Sequence, residues 1–153
     1  MGDKTKMNEA TEIQAILRLM NEYCYRIDSG DKLGFAQLFE NGTFLLRGDP
    51  GGGLTGTQAV LDMLDNVILY DGKPQTKHVM SNETIEIHPD GMTASAQCYI
   101  AVYQALPDFP LQPIFMGHYF DTFEKSGGQW RFSVREISPD LIGDLSRHRA
   151  DLA

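Results

Sequence analysis

Cysteine, tryptophan and positive charge are all scarce in this sequence, and each shortage excludes something. The two cysteines among 153 residues, Cys24 and Cys98, sit inside apolar segments and form no C-x-x-C pair. They build no disulfide framework and read as small buried thiols, with a reducing cytoplasm as the expected compartment. Lysine and arginine total 13 against 21 acidic residues, a formal net charge of -8. That excess repels phosphate backbones, and no basic cluster of the nucleic-acid-binding kind interrupts it. No apolar run approaches the roughly 20 residues of a membrane span. The opening MGDKTKMNEATEIQ lacks the apolar centre of an export signal. The glycines of GDPGGGLTG are not followed by G-K-[ST], and no His/Cys/Asp/Glu cluster has metal-ligand spacing. Neither nucleotide, metal nor another cofactor is therefore expected.

What is present fits one domain across residues 1–153: 42% hydrophobic and 22% charged residues, enough to bury a core. Residues 8–28 have helical periodicity. Ile13, Ile16, Leu17, Met20, Tyr23, Cys24 and Ile27 share one broad face, with Arg18, Glu22 and Arg26 opposite. Gly30 is a plausible left-handed cap, and Asp31 can cap a short second helix, KLGFAQLF. GTFLLRG reads as a strand, and TGTQAVLDMLDNVIL as a third helix with Thr55 or Thr57 at its N-cap. Strands are expected over 76–88, 92–106, 114–125 and 129–138. The turns HPDG and KSGGQ join the first and last pairs, and the Pro-rich segment 105–113 forms a loop between the middle two. Helices first and strands later predict an α+β domain, helices packed on one face of a strongly curved, mostly antiparallel sheet. Long bent strands under a helical cover would enclose a cone-shaped pocket.

One stretch, EYCYRIDSGDKLGFAQLF, raises a question of its own. Asp28 falls in the last helical turn, where the dipole disfavours a carboxylate by a few tenths of a kcal/mol. Either it only starts the turn, or it faces a group that needs a base. In TKHVMSNETIEI, His78, Met80 and Asn82 alternate onto one strand face, and imidazole is the commonest general base near neutral pH. Tyr99, Tyr103, Phe115, Tyr119 and Phe123 share one kind of position in their strands, with His118 and Phe120 on the alternate phase. Periodicity alone leaves open which face points inward. WRFSVREI reads as Trp130, Phe132 and Val134 on the buried side, and Arg131, Ser133 and Arg135 on the other.

ILRLMNEYCYRIDSGDKLGFAQLF, GTFLLRG, TKHVMSNETIEI and GHYFDTFEKSGGQWRFSVREI, in that order and spacing, resemble the SnoaL-like branch of the NTF2-like (cystatin-like) superfamily over residues 12–138. That branch includes scytalone dehydratase, bile-acid dehydratases and a dehydrochlorinase. The resemblance implies a cone-shaped α+β barrel, with Asp28 and His78 at the places of a catalytic pair: His78 removes a substrate proton, and Asp28 orients it and stabilises the imidazolium. Tyr23 stands where bile-acid dehydratases carry a tyrosine and the dehydrochlorinase a lysine, which favours an oxygen leaving group or a polarised carbonyl. A charge-assisted hydrogen bond worth roughly 1.5–3 kcal/mol would outweigh the helix-end penalty on Asp28. The second histidine of scytalone dehydratase is missing from SAQCYIAVYQ, leaving His118 as the candidate substitute, and Arg135 is the nearest match to a distal arginine.

The expected function is thus a cofactor-independent dehydratase (lyase) or isomerase acting on a small hydrophobic cyclic molecule. Met80, Asn82, Tyr99, Tyr103, His118, Phe120 and Arg135 are the expected pocket residues. His88 and His148 read as solvated loop and tail residues. The alternatives are a non-catalytic ligand-binding or assembly module and a polyketide cyclase. The expected partner beyond substrate is a second copy of the chain, as a homodimer (or trimer) through the outward phases of the last two strands, with neither nucleic acid nor membrane.

Overall fold

The computed structural model describes residues 2–152. Helix α1, Gly2–Ser29, buries Ile16, Met20, Tyr23, Cys24 and Ile27, the stripe its spacing requires. It stops at Gly30, whose φ of 83° is left-handed. There the Gly30 N–H donates to Ile27 O at 3.0 Å and the Asp31 N–H to Arg26 O at 2.9 Å, a Schellman ending. Gly30 also touches the neighbouring loop, and a Cβ there would lie 2.0 Å from the Gly72 carbonyl oxygen. Asp31 then caps α2, Lys32–Gln37, by accepting from the Gly34 N–H at 2.8 Å.

Strands β1 (Thr43–Leu46) and β2 (Leu54–Thr55) form a small hairpin through the glycine-rich loop. Helix α3 covers only Thr57–Met63, continued by a 3-10 turn over Leu64–Asn66. Its N-cap is Gly56 at φ 88°, correcting the expected Thr55 or Thr57: this backbone conformation suits glycine and strains a β-branched residue. Four long strands follow: β3 Thr76–Ile87, β4 Thr93–Leu106, β5 Phe109–Ser126 and β6 Gln129–Ile142. The sheet order is β2-β1-β6-β5-β4-β3, antiparallel except for the β1–β6 pair. It is an open curved sheet with β2 and β3 as edges, and the helices complete the cone.

Two departures from the expected strands have local causes. The segment 105–113 is mostly strand and not a loop, because Pro110 and Pro113 fall where β5 has β4 as its sole strand neighbour and the register shifts. In β6 a bulge sits opposite the step from Thr122 to Phe123, which pair with Val134 and Phe132. Ser133 is the extra residue, so the phase slips by one beyond it. Phe132, Arg135 and Ile137 are buried while Val134 is only half-buried, which corrects the expected Val134-in, Arg135-out arrangement. A second bulge in β3, between Ser81 and Thr84, holds Asn82 at φ 59°. Such bulges sharpen strand bending, and the concave face they produce meets α1, α2 and α3. Phe39 stacks on Phe132 at 5.2 Å in the core between the layers. No described helix is long and apolar enough to cross a membrane.

Candidate active site

The Schellman ending of α1 brings the Asp28 carboxylate against the start of β3. Its Oδ2 accepts the His78 main-chain N–H at 2.8 Å, and its Oδ1 accepts the Thr76 hydroxyl at 2.8 Å. The same Oδ1 lies 2.6 Å from His78 Nδ1. A carboxylate only accepts, so Nδ1 carries the ring proton and Nε2 presents a lone pair. Both side chains are nearly sealed from solvent, 10% exposed for Asp28 and 8% for His78. Burial pushes the Asp28 carboxyl up, but the His78 ring, the His78 N–H and the Thr76 hydroxyl outweigh it and hold the group below the usual carboxylate range. Asp28 is a permanent anion at neutral pH, built to stabilise a cation on His78.

Beside this pair lies a layer of two tyrosines on an arginine. Tyr23 meets His78 edge-on at 6.4 Å and Tyr119 at 5.6 Å between ring centres. Beneath them the Arg135 guanidinium sits 4.3 Å from the Tyr23 ring centre and 4.1 Å from that of Tyr119. Its charge is matched by Asp121, with Nε to Oδ1 at 2.8 Å and Nη2 to Oδ2 at 2.7 Å, and both side chains are 0% exposed. Nη1 is left to the aromatic faces without a hydrogen-bond partner. Burial lifts the Tyr23 phenol to about 12 despite the opposing Arg135 charge, so it stays protonated and donates throughout the neutral range.

Tyr23, Tyr119 and His78 line a cavity of about 400 Å³ that is otherwise walled mainly by apolar side chains, among them Phe35, Phe44 and Val102. The far wall comes from the segment after β6, through Leu145, His148, Arg149 and Leu152. His148, expected as a solvated tail residue, instead faces the His78 ring at 6.5 Å between centres, with its Nδ1 buried. The chain there is held by Tyr70 and Gln104, which donate to the Arg147 carbonyl at 2.6 and 3.1 Å.

A family model described as a SnoaL-like domain matches residues 8–136. The chain belongs to the SnoaL-like family. No functionally curated protein matches it. Solved structures do. A candidate scytalone dehydratase from Novosphingobium aromaticivorans is 26% identical with a TM-score of 0.72, covering 91% of this chain and 91% of that one. An NTF2-like protein with a cystatin-like fold from the same species is 20% identical, TM-score 0.74, over 94% and 91% of the two chains. LinA is 18% identical, TM-score 0.72, over 92% and 94%. The last two show the fold alone. The family match and the 26%-identical structure support an enzymatic or ligand-binding role for this SnoaL-like chain.

Of the site residues expected from sequence, Asp28, His78 and Tyr23 come together: His78 and Tyr23 stand in the cavity wall, and Asp28 holds His78 from behind. None of the seven expected pocket residues lines the cavity. The even-numbered residues of β4 from Ala94 to Gln104 are buried, so Tyr99 faces outward at 51% exposure. His118 and Phe120 lie on the same outer side: their rings stack at 4.0 Å, His118 meets Tyr99 at 5.1 Å, and Arg47 covers Phe120. Tyr103 lines a surface groove on the outer side of the Asp28–His78 pair, which it shares with Tyr25, Lys77 and Leu111. Asn82 is exposed at its bulge, and Met80 packs on the core beyond the cavity. Arg135 lies behind the tyrosines and not in the cavity wall. Tyr119 and His148 were missed. Tyr119 had a signal, since Asp121 on its own strand phase is a charge inside an apolar strand and Arg135 is its counterpart. His148 had none, because residues far away in sequence bury it.

Proposed function

We propose that this chain is a cofactor-independent lyase that eliminates water from a small, hydrophobic, cyclic β-hydroxy carbonyl compound. The observation that carries the reading is the His78 ring, proton fixed on Nδ1 by Asp28, on the wall of a largely apolar cavity. His78 Nε2 takes the proton from the carbon next to the carbonyl, breaking the C–H bond and sending its electrons to the carbonyl oxygen. Asp28 stabilises the imidazolium. The enolate then reforms the carbonyl, the C–O bond to the hydroxyl breaks, and His78 returns its proton so that water leaves. Tyr23 donates a hydrogen bond to an oxygen of the substrate. Positioned acid–base groups of this kind contribute typically about 10²–10⁴-fold each. The cavity volume suits a molecule of one to three fused rings.

The test is a panel of cyclic β-hydroxy ketones, followed for the rise in conjugated-enone absorbance and for deuterium exchange at the α-carbon. Turnover and exchange are both expected, and both should vanish in His78→Gln. A chain that binds panel members tightly without exchanging the α-proton is a binding module, and the lyase reading falls.

The same reading gives the sheet's outer face a second copy of this chain as partner. Val79, Tyr99 and Met116 are 48%, 51% and 39% exposed. Register places Val79 and Met116 on either side of Ala101, and Tyr99 beside His118 two residues along, so the three exposed side chains share one face of the sheet. Light scattering should give a dimer mass that Tyr99→Glu lowers to a monomer; a monomeric wild type removes the partner.

A further inference from the structure

We propose that His148 is a second catalytic residue, a neutral imidazole whose Nε2–H donates a hydrogen bond to the oxygen on which negative charge develops. This rests on the lyase reading and adds a second donor beside Tyr23: His78 takes the proton, and His148 receives the charge.

Three observations carry it. His148 lines the cavity and faces His78 at 6.5 Å between ring centres, inclined at 63°. That gap is too narrow for a substrate ring to lie flat between them. The two rings stand side by side in the cavity wall, so one substrate can meet both, with an α C–H against His78 and the carbonyl oxygen two bonds away against His148. Next, Nδ1 of His148 is buried without a partner. An unmatched lone pair is a cheaper orphan than an unmatched N–H, so the ring proton belongs on Nε2, at the ring's other edge. Finally, the backbone around His148 is pinned. Its carbonyl accepts from the Ile68 N–H at 3.0 Å, Val67 bridges to Arg149, and Tyr70 and Gln104 hold the Arg147 carbonyl. A pinned main chain fixes the donor before substrate arrives, which electrostatic stabilisation of an enolate requires.

The ring's charge state agrees. Burial pushes His148 down to about 4, helped by the nearby His78 and Arg149 and opposed by Asp28. Neutral imidazole is a hydrogen-bond donor able to polarise a carbonyl. The balance is simple: the substrate proton moves from carbon to His78 Nε2 and on to the departing hydroxyl, while His148 keeps its own proton throughout.

The test uses 4-nitrophenol, whose phenolate oxygen on a flat ring imitates the enolate and whose absorbance reports its ionisation, with indane as the apolar control. Wild type should bind both. His148→Phe should weaken 4-nitrophenol at least about tenfold and shift the bound probe toward its neutral form, with indane affinity kept. His148→Gln, which retains an N–H donor, should recover most of the loss. Unchanged 4-nitrophenol affinity in His148→Phe, or an equal loss of both ligands, overturns the assignment. If elimination that depends on His78 persists undiminished in His148→Phe, this inference alone fails. A wild type that binds neither ligand and turns over no panel member removes the lyase reading with it.

Discussion

His78 is bound twice by one carboxylate: its main-chain N–H reaches Oδ2 of Asp28 at 2.8 Å and its ring Nδ1 reaches Oδ1 at 2.6 Å. Backbone and side chain are therefore fixed by a single group, so the ring cannot turn while the strand stays in place. In Asp28→Asn, one amide edge would oppose a donor from His78 or Thr76. Under the proposed lyase mechanism the elimination rate is expected to fall by about 10³–10⁴, the scale for losing the partner that orients a catalytic histidine. Stability should fall by roughly 1–3 kcal/mol. Steady-state kinetics and urea melts on one preparation check both, and an unchanged rate would show that Asp28 does not act on His78.

Two acid limbs should separate in stability against pH. His148 has a folded pKa of about 4 against an ordinary 6.5, so the unfolded chain binds a proton that the folded chain refuses. Its contribution is complete above about 6.5 and is lost as pH falls toward about 4, on the order of 2 kcal/mol after allowing for partial exposure. His148→Phe should flatten that limb. Asp28, held below its ordinary 3.8, contributes above that value and loses its share only at lower pH. Asp28→Asn should flatten the lower limb and leave the upper one. Denaturant melts at half-unit pH steps would resolve the two.

The Arg135–Asp121 pair is fully buried, and removing one member strands the other. Arg135→Met should cost about 3–5 kcal/mol, while Arg135→Met with Asp121→Leu should recover most of it. The double variant also withdraws the cation from beneath Tyr23 and Tyr119. Additive losses in the double-mutant cycle would mean that the two side chains are not energetically coupled.

Gly30→Ala tests how firmly the end of α1 is set. The left-handed conformation and the 2.0 Å approach of a new Cβ to the Gly72 carbonyl should cost at least about 2 kcal/mol. Asp28 lies two residues upstream, so the elimination proposed for this site should fall as well. A neutral outcome in thermal melts would mean that the loop at Gly72 yields freely.

The Asp28–His78 contact was legible because both members sit at element ends that local chemistry marks: Asp28 before a glycine cap, His78 near the start of a β strand. The architecture was legible for the same reason, since helical stripes and strand alternation are short-range patterns. Pocket lining was not. Tyr99 and Tyr103 alternate as inward residues would, and only the packing of α1 against the other face of the sheet sends them outward. Arg135 escaped because a one-residue bulge at Ser133 reverses the phase. His148 escaped because its burial depends on Tyr70 and Gln104, neither near it in the chain.

The bulge at Ser133 also bears on divergence. Losing that residue would restore plain alternation and leave Phe132, Arg135 and Ile137 facing inward, whereas losing Glu136 would turn Ile137 out of the core. Relatives that differ in length along this strand should therefore carry their gap at Ser133, with the buried arginine in place on either side of the event.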